Sequence, residues 1–296
     1  MIFLFFLLSQ AIDFEDLFNK ATTALVKFQA EQDSAFNMLV QLGQDSLWAD
    51  TTINFLVSKF DTKTALERHR LKDIFKKIGV PAIKGIVRQL DYRGSDEEAR
   101  SLKHSLWVLG EIGGLEIVEP VSCFIEDDQW SIRSNAYTAL GKSKLKTALS
   151  FIIQGLNDSI SMVRKSAYYA LGQVATEKEI PYLINGLDDE FYGVRYACMK
   201  GLVNIGEPVI DPLLQLLGQN KVVDYFIFRV LSEIYQENLD QYVKNQDPSI
   251  RLLIYEAVGD TTTLKNFYNA EDNLLLKNYL IKQYPHPLDT LKQGKY

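Results

Sequence analysis

The sequence predicts an all-α chain: an α-solenoid of about seven stacked antiparallel helix pairs with a period of about 31 residues. Three observations predict it. Apolar residues recur at helical spacing through most of the 296 residues. The segments around Ile132-Arg133, Val163-Arg164 and Val194-Arg195 align in two gapless steps of 31 residues. The composition, 47% hydrophobic and 24% charged, is that of an ordinary globular protein and excludes disordered, collagen-like and polytopic membrane chains. A net charge of -6 argues against a protein that coats nucleic acid, a task that needs a positive field.

The chain opens with Met1-Ile-Phe-Leu-Phe-Phe-Leu-Leu8, too short to span a bilayer and of the size of a signal-peptide core, with Ser9 and Ala11 as small residues before a cut. Residues 1–11 therefore read as a candidate export signal, for a periplasmic or secreted protein. No Lys or Arg precedes the run, so the buried end of a first helix in a cytoplasmic protein remains the alternative. Residues 12–66 read as a helical cap, a degenerate repeat with helices around 14 to 30, 34 to 43 and 48 to 60. Residues 67–250 carry the repeats and 251–296 a C-terminal helical cap, because the pattern decays at both ends.

Within one unit, Val163, Ala167, Ala170, Leu171 and Val174 mark a first helix, and Ile180, Leu183, Ile184 and Leu187 a second. Thr176 and Glu179 form a capping-box pair at the entry to the second helix, and Pro181 sits in its first turn, where a missing N–H costs nothing. The small slot Ser105, Ala136, Ala167 and Cys198 lets neighbouring helix axes approach closely. Gly79-Val80-Pro81 and Gly206-Glu207-Pro208 mark matching helix-to-helix turns. Asp247-Pro248 reads as an N-cap with a first-turn proline, and Arg251, four residues after Asp247 instead of six, departs from the repeat pattern.

These residues resemble HEAT repeats, and the units bearing Ala139-Leu140-Gly141 and Ala170-Leu171-Gly172 are most similar to the subclass found in phycobilisome lyases. Pro181, Asp189 and Arg195 follow the order of proline, aspartate and arginine in that family, and Pro120, Asp127 and Arg133 follow it with one residue less. The resemblance implies that Asp127, Asp158, Asp189, Arg133, Arg164 and Arg195 form a structural ladder between adjacent repeats. A guanidinium fork suits that role, since it satisfies carboxylates and helix-end carbonyls together.

No catalytic constellation is legible: the sequence has no Gly-rich phosphate loop, H-E-x-x-H, G-x-S-x-G or CxxC. The His-Glu pairs of HEAT-like di-iron enzymes are also missing, and with two cysteines and three histidines neither metal nor cofactor is expected. Cys198 reads as a small buried filler. Trp107, Tyr168 and Tyr169 sit beside core leucines and read as packing residues.

Three candidate surfaces remain. Arg88, Cys123, Gln154, Asn185 and Gln215 share one slot on successive second helices and read either as a hydrogen-bonding row for a partner peptide or helix on the concave face, or as a merely solvated face. Trp130 and Tyr192, with Phe191 adjacent, share a slot in the loops before first helices; exposed, they would be anchors about 16–20 Å apart, and tucked in they would be packing residues. Arg68, Lys72 and Lys76 form a basic stripe, opposite Leu71, Ile74, Phe75 and Ile78, that reads as a phosphate-binding or acid-binding face or as the wet side of an amphipathic helix. The reading that joins these is a non-catalytic scaffold that binds another protein through its concave face or inter-repeat loops. The alternatives are bilin attachment or detachment, implied by the lyase resemblance, and nucleic-acid binding through the basic stripe.

Overall fold

A computed structural model describes residues 12–23, 29–95, 97–258 and 260–283. The candidate export signal, residues 1–11, lies outside them, as does the end of the C-terminal cap. Among the described residues are eighteen α-helices and no strand. No described helix is long and apolar enough to cross a membrane. The chain divides into two compact units, which part between Gly155 and Leu156.

The first unit contains α1 (Phe14–Ala21), α2 (Gln29–Gln44), α3 (Ala49–Ser58), α4 (Ala65–Ile78), α5 (Ile83–Val87), α6 (Arg100–Ile112), α7 (Val118–Ser122), α8 (Trp130–Ser143) and α9 (Leu149–Gln154). First helices pack side by side in the order α2, α4, α6, α8, and the second helices α3 and α5 pack likewise. Its core is a run of side chains facing inward at helical spacing: Leu71, Ile74 and Phe75 from α4, Leu102, Leu106 and Leu109 from α6, and Ile132, Ala136 and Leu140 from α8. Each fully buried leucine or isoleucine contributes about 1.5–3 kcal/mol.

The first helix ends at Ala21, well before residue 30, because Thr22 turns back on it: its Oγ1 donates to the Phe18 carbonyl at 2.8 Å. α2 then starts by Gln29, earlier than the spacing of its leucines suggests, and buries Gln32, whose Nε2 donates to the Thr23 carbonyl. A buried glutamine at a helical start is not visible as an apolar period, so hydrophobic spacing alone misplaces this boundary.

The second unit contains α10 (Ser161–Val174), α11 (Ile180–Asn185), α12 (Tyr192–Ile205), α13 (Ile210–Leu214), α14 (Lys221–Tyr235), α15 (Leu239–Lys244), α16 (Pro248–Ala257), α17 (Thr261–Ala270) and α18 (Leu274–Gln283). Here α10, α12, α14 and α16 stack in sequence as first helices. α10 and α12 approach closely, so that a Cβ on Gly172 would stand 2.8 Å from the Gly201 Cα. The two glycines let the backbones touch, which is the physical meaning of the small residues beside Leu171 and Leu202. Cys198 fills the space below, fully buried against Gly186.

Second helices are shorter than their apolar period suggests. α11 has one and a half turns of α-helix, entered through a 3-10 turn at Glu177–Glu179 that carries the Thr176/Glu179 capping box, and left through another at Gly186–Asp188. The tight entry and exit turns let each pair close within the short repeat. Gly79 and Gly206 end α4 and α12 with φ of 75° and 84°, a region that favours glycine, so the matching Gly-x-Pro turns have one backbone cause. Asp247 caps α16 by accepting from the Ser249 N–H at 2.8 Å.

Candidate functional site

Three repeat junctions are built from an Asp-x-x-x-x-x-Arg segment. Asp127, Asp158 and Asp189 accept from the backbone N–H two residues on, at Gln129, Ile160 and Phe191, and so turn the chain into a first helix. Arg133, Arg164 and Arg195 each reach back six residues with Nη1 to the carbonyl of that same aspartate. In the second unit the outer edge of Arg164 then crosses to the next junction, where Nε and Nη2 hold both oxygens of Asp189 at 2.7 and 3.1 Å. Both side chains are 12% exposed. Burial pushes the Asp189 carboxyl up, but the Arg164 guanidinium and the Phe191 N–H outweigh it and hold the group below the usual carboxylate range.

Asp127 receives a fork of the same kind from Arg93, at 2.7 and 3.0 Å. Arg93 is a loop residue outside the periodic slot, and sequence alignment passes over it. Arg251, whose spacing from Asp247 marks it as a departure, nonetheless takes the ladder role. Its Nη1 donates to the carbonyls of Lys244 and Gln246, and its Nε faces Glu271 at 3.0 Å. Glu271 is 3% exposed and also accepts from the Tyr255 hydroxyl at 2.6 Å. Glutamate replaces aspartate there, which hides the pair from a search for Asp.

The row of second-helix residues is exposed at every position. Arg88, Cys123 and Gln154 in the first unit and Asn185 and Gln215 in the second stand at the last turn of their short helices. Several already spend their polar atoms locally. Cys123 Sγ and Gln154 Nε2 turn to their own helix carbonyls, at Glu119 and Ser150, and Arg88 lies 3.6 Å from Asp50. Asn185 hydrogen-bonds the buried Tyr168 hydroxyl, which burial pushes up to about 12. Asn157, Asp158, Ser159, Tyr168 and Asn185 line a polar cleft of about 440 Å³ beside the Arg164–Asp189 pair.

The basic stripe on α4 is largely engaged within its unit. Arg68 Nη1 donates to the Lys63 carbonyl, Lys72 lies 5.0 Å over the Trp107 ring and 3.7 Å from Asp73, and Lys76 reaches Glu111 at 3.4 Å. Lys72 and Lys76 thereby belong to the α4–α6 interface, while Arg68 ties to the loop before α4.

The loop-edge aromatics divide differently. Trp130 in the first unit is 46% exposed, and Tyr192 in the second 54% exposed. Phe191 is half-buried, its ring against Gly193. Around Tyr192 the second unit gathers more aromatic surface than its own slot provides. Tyr196, one turn on along α12, stacks beside it with ring centroids 6.2 Å apart, and both are exposed. From α14, the Phe226 ring approaches Tyr192 at 5.8 Å and Tyr225 packs edge-on against Phe226. Cations interleave with the rings: Arg195 lies over Tyr192 and Phe226, Lys200 over Tyr196, and Arg229 over Tyr225. Tyr168 is buried as expected, but Tyr169 is exposed, because adjacent residues of a helix point about 100° apart. Helical spacing of tyrosines along α12 was the available signal for Tyr196; the α14 contribution had none, since α14 falls out of the 31-residue register.

Comparison with known proteins agrees with this architecture. The family model of HEAT repeats matches residues 90–172, 119–202 and 149–225. No curated protein matches the sequence. Among solved structures, a Kap121p structure is similar at 16% identity and a TM-score of 0.52, over 90% of this chain and 34% of that one. The Kap95:Nup1 complex is similar at 13% identity and a TM-score of 0.50, over 94% of this chain and 43% of that one. The complex of CpcE and CpcF of phycocyanin lyase from Nostoc sp. PCC7120 follows at 16% identity and a TM-score of 0.44, over 78% of this chain and 94% of that one. At such identities the first two likenesses show the fold alone.

Proposed function

We propose that this chain, whose residues 90–225 are HEAT repeats, is a non-catalytic scaffold that binds a partner protein on the exposed tyrosine edge of its second unit. One observation carries the reading: Tyr192 and Tyr196 stand exposed and stacked on α12, interleaved with Arg195 and Lys200. Tyrosine and arginine dominate the energetics of protein interfaces, since a rigid ring buries much area for little entropy and a guanidinium supplies directed donors. The second-helix row is a weaker candidate, because Asn185 and its counterparts in the first unit are partly satisfied by their own chain. The solved Kap95:Nup1 complex gives a precedent for protein binding by a similar fold.

The test is affinity capture from the native source with the full chain, run beside Tyr192→Ala/Tyr196→Ala and Asn185→Glu/Gln215→Glu, with circular dichroism to establish that each variant is folded. The expected outcome is a partner held by the wild type and by the second-helix variant and lost from the tyrosine variant. Loss from the second-helix variant alone would move the site to the opposite helices.

A further inference from the structure

Arg195 is the ladder arginine whose carboxylate is missing. The cores of α12 and α14 correspond at a spacing of 29 residues, with Val194, Cys198 and Leu202 matched by the buried Val223, Ile227 and Leu231. In that register the place of Asp189 falls on Gly218, which has no side chain, and the place of Arg195 falls on Asp224. The junction is inverted: Asp224 Oδ1 accepts from the Gly218 N–H at 3.0 Å, closing the same six-residue loop that the arginines close with opposite polarity. As a result the edge of Arg195 that Arg164 gives to Asp189 is left over. Its Nη1 is satisfied by the carbonyls of Asp189 and Glu190, while its Nε is buried and has no hydrogen-bond partner among the described residues.

A buried guanidinium donor left without an acceptor carries a desolvation cost, larger for a charged group than for a neutral one. It lies against the two rings of Tyr192 and Phe226, at 5.9 and 5.7 Å. A second cation, Lys165 of α10, is exposed, packs its stem at Gly193, and has no ion pair among the described residues. Lys200 and Arg229 are different, since Glu233 already faces both. Two unpaired cations thus flank two exposed tyrosines on a chain that is acidic overall.

We infer that the tyrosine edge recognises an acidic segment of the partner protein, with one Asp or Glu carboxylate meeting the half-buried guanidinium of Arg195 and a second one meeting Lys165. The inference rests on the protein-binding reading of this edge and specifies its ligand. Carboxylate is favoured over a phosphate backbone for two reasons. The edge is the one that its neighbour Arg164 uses bidentately for a carboxylate. A segment with two carboxylates also meets less repulsion from the net charge of -6 than a polyanion whose charges recur every few ångströms.

The experiment is fluorescence anisotropy on the full chain with a short dye-labelled Glu-rich peptide carrying apolar spacers, its Gln-for-Glu counterpart, and a single-stranded thymidine oligonucleotide. The Glu peptide should bind at least about tenfold more tightly than the Gln peptide, a difference of the size expected for one charge-assisted pair. That preference should vanish in Arg195→Gln and weaken in Lys165→Gln, while Arg195→Lys, which keeps charge but loses the fork, should fall between. Circular dichroism monitors folding, and Lys165→Gln at an exposed site keeps the test sound should Arg195→Gln unfold. Equal binding of the two peptides, or tighter binding of the oligonucleotide, overturns the inference. If the native partner is lost from Tyr192→Ala/Tyr196→Ala but retained by Arg195→Gln and Lys165→Gln, the edge stands and its acidic ligand does not; if all variants retain it, both fail.

Discussion

Replacing Arg164 with alanine should loosen the second unit at one defined junction, and the structure sets the size of the effect. The substitution removes two charge-assisted bonds to Asp189, at 2.7 and 3.1 Å, and a bond of 2.9 Å to the Asp158 carbonyl. Both charges are 12% exposed, so water repays only part of the loss. Removing one partner of a buried pair costs about 3–5 kcal/mol, and the Phe191 N–H that Asp189 retains places this case at the lower end, about 3 kcal/mol. At about 2–4 °C per kcal/mol for a chain of this size, the thermal midpoint should fall by about 6–12 °C. Urea titration followed by circular dichroism gives the free energy, and the cycle through Asp189→Ala and the double variant isolates the pair, with a coupling of about 1.5–3 kcal/mol. Lys165→Ala, next along the same helix and exposed, is the control. A midpoint drop no larger than that of Lys165→Ala, or a coupling near zero, would refute the claim that this guanidinium joins successive repeats.

Other consequences follow from the same geometry. Gly172→Ala drives a methyl to 2.8 Å from the Gly201 Cα, with backbone on both sides, and should destabilise by about 1–3 kcal/mol in a denaturant titration. Gln154→Glu and Asn185→Glu should each shift the thermal midpoint far less than Arg164→Ala, because both residues are exposed. Burial holds the His104 ring below its usual value of 6.5 while Nδ1 contacts the Phe60 carbonyl, so the neutral ring is the one the fold prefers. Its stabilising contribution is present above about 6.5 and is lost as pH falls through the folded value; urea midpoints of His104→Gln should show a shallower loss in that window. An exposed Cys123 and a fully buried Cys198, whose thiol burial pushes up, should give one fast-reacting thiol in the native protein and two after unfolding, read with a thiol-specific chromophore.

The repeat was legible because its causes are local and recur. Asp127, Asp158 and Asp189 show in the sequence as one slot since each must make the same turn, and the Gly-x-Pro pair shows because a positive φ admits few residues. What stayed hidden has equally physical reasons. Arg93 reaches Asp127 from a loop, and Arg251 pairs with a glutamate instead of an aspartate, so neither obeys the period although both make the ladder bond. The expected break in the N-terminal cap was displaced because Gln32 is buried by a hydrogen bond, which hydropathy cannot register. At the candidate site, Tyr192 was found by its slot, but Tyr196 required knowing that its face of α12 is uncovered, and Tyr225 and Phe226 required knowing that α14 shifts by two residues.

That shift ties the site to the fold. A ladder junction needs a guanidinium on one repeat and a carboxylate on the next, and Arg164 shows both ties, one to its own turn and one forward to Asp189. At Gly218 the forward tie has no acceptor, and α14 seals its own turn with Asp224 instead. Burial pushes the Asp224 carboxyl up, with the Gly218 N–H opposing it, so this closure is weaker in acid than the arginine closures, whose donors never lose their charge. The position of α14 is therefore set by apolar and aromatic contact, through Phe226, Ile227 and Leu231, more than by charge. The guanidinium so released sits beneath Tyr192 and gives the edge a directed donor that an ordinary repeat would have spent internally. Restoring an internal acceptor for Arg195, by a carboxylate engineered into the 216–220 turn, should raise stability and lower partner affinity together, two readouts that an edge indifferent to Arg195 would not couple.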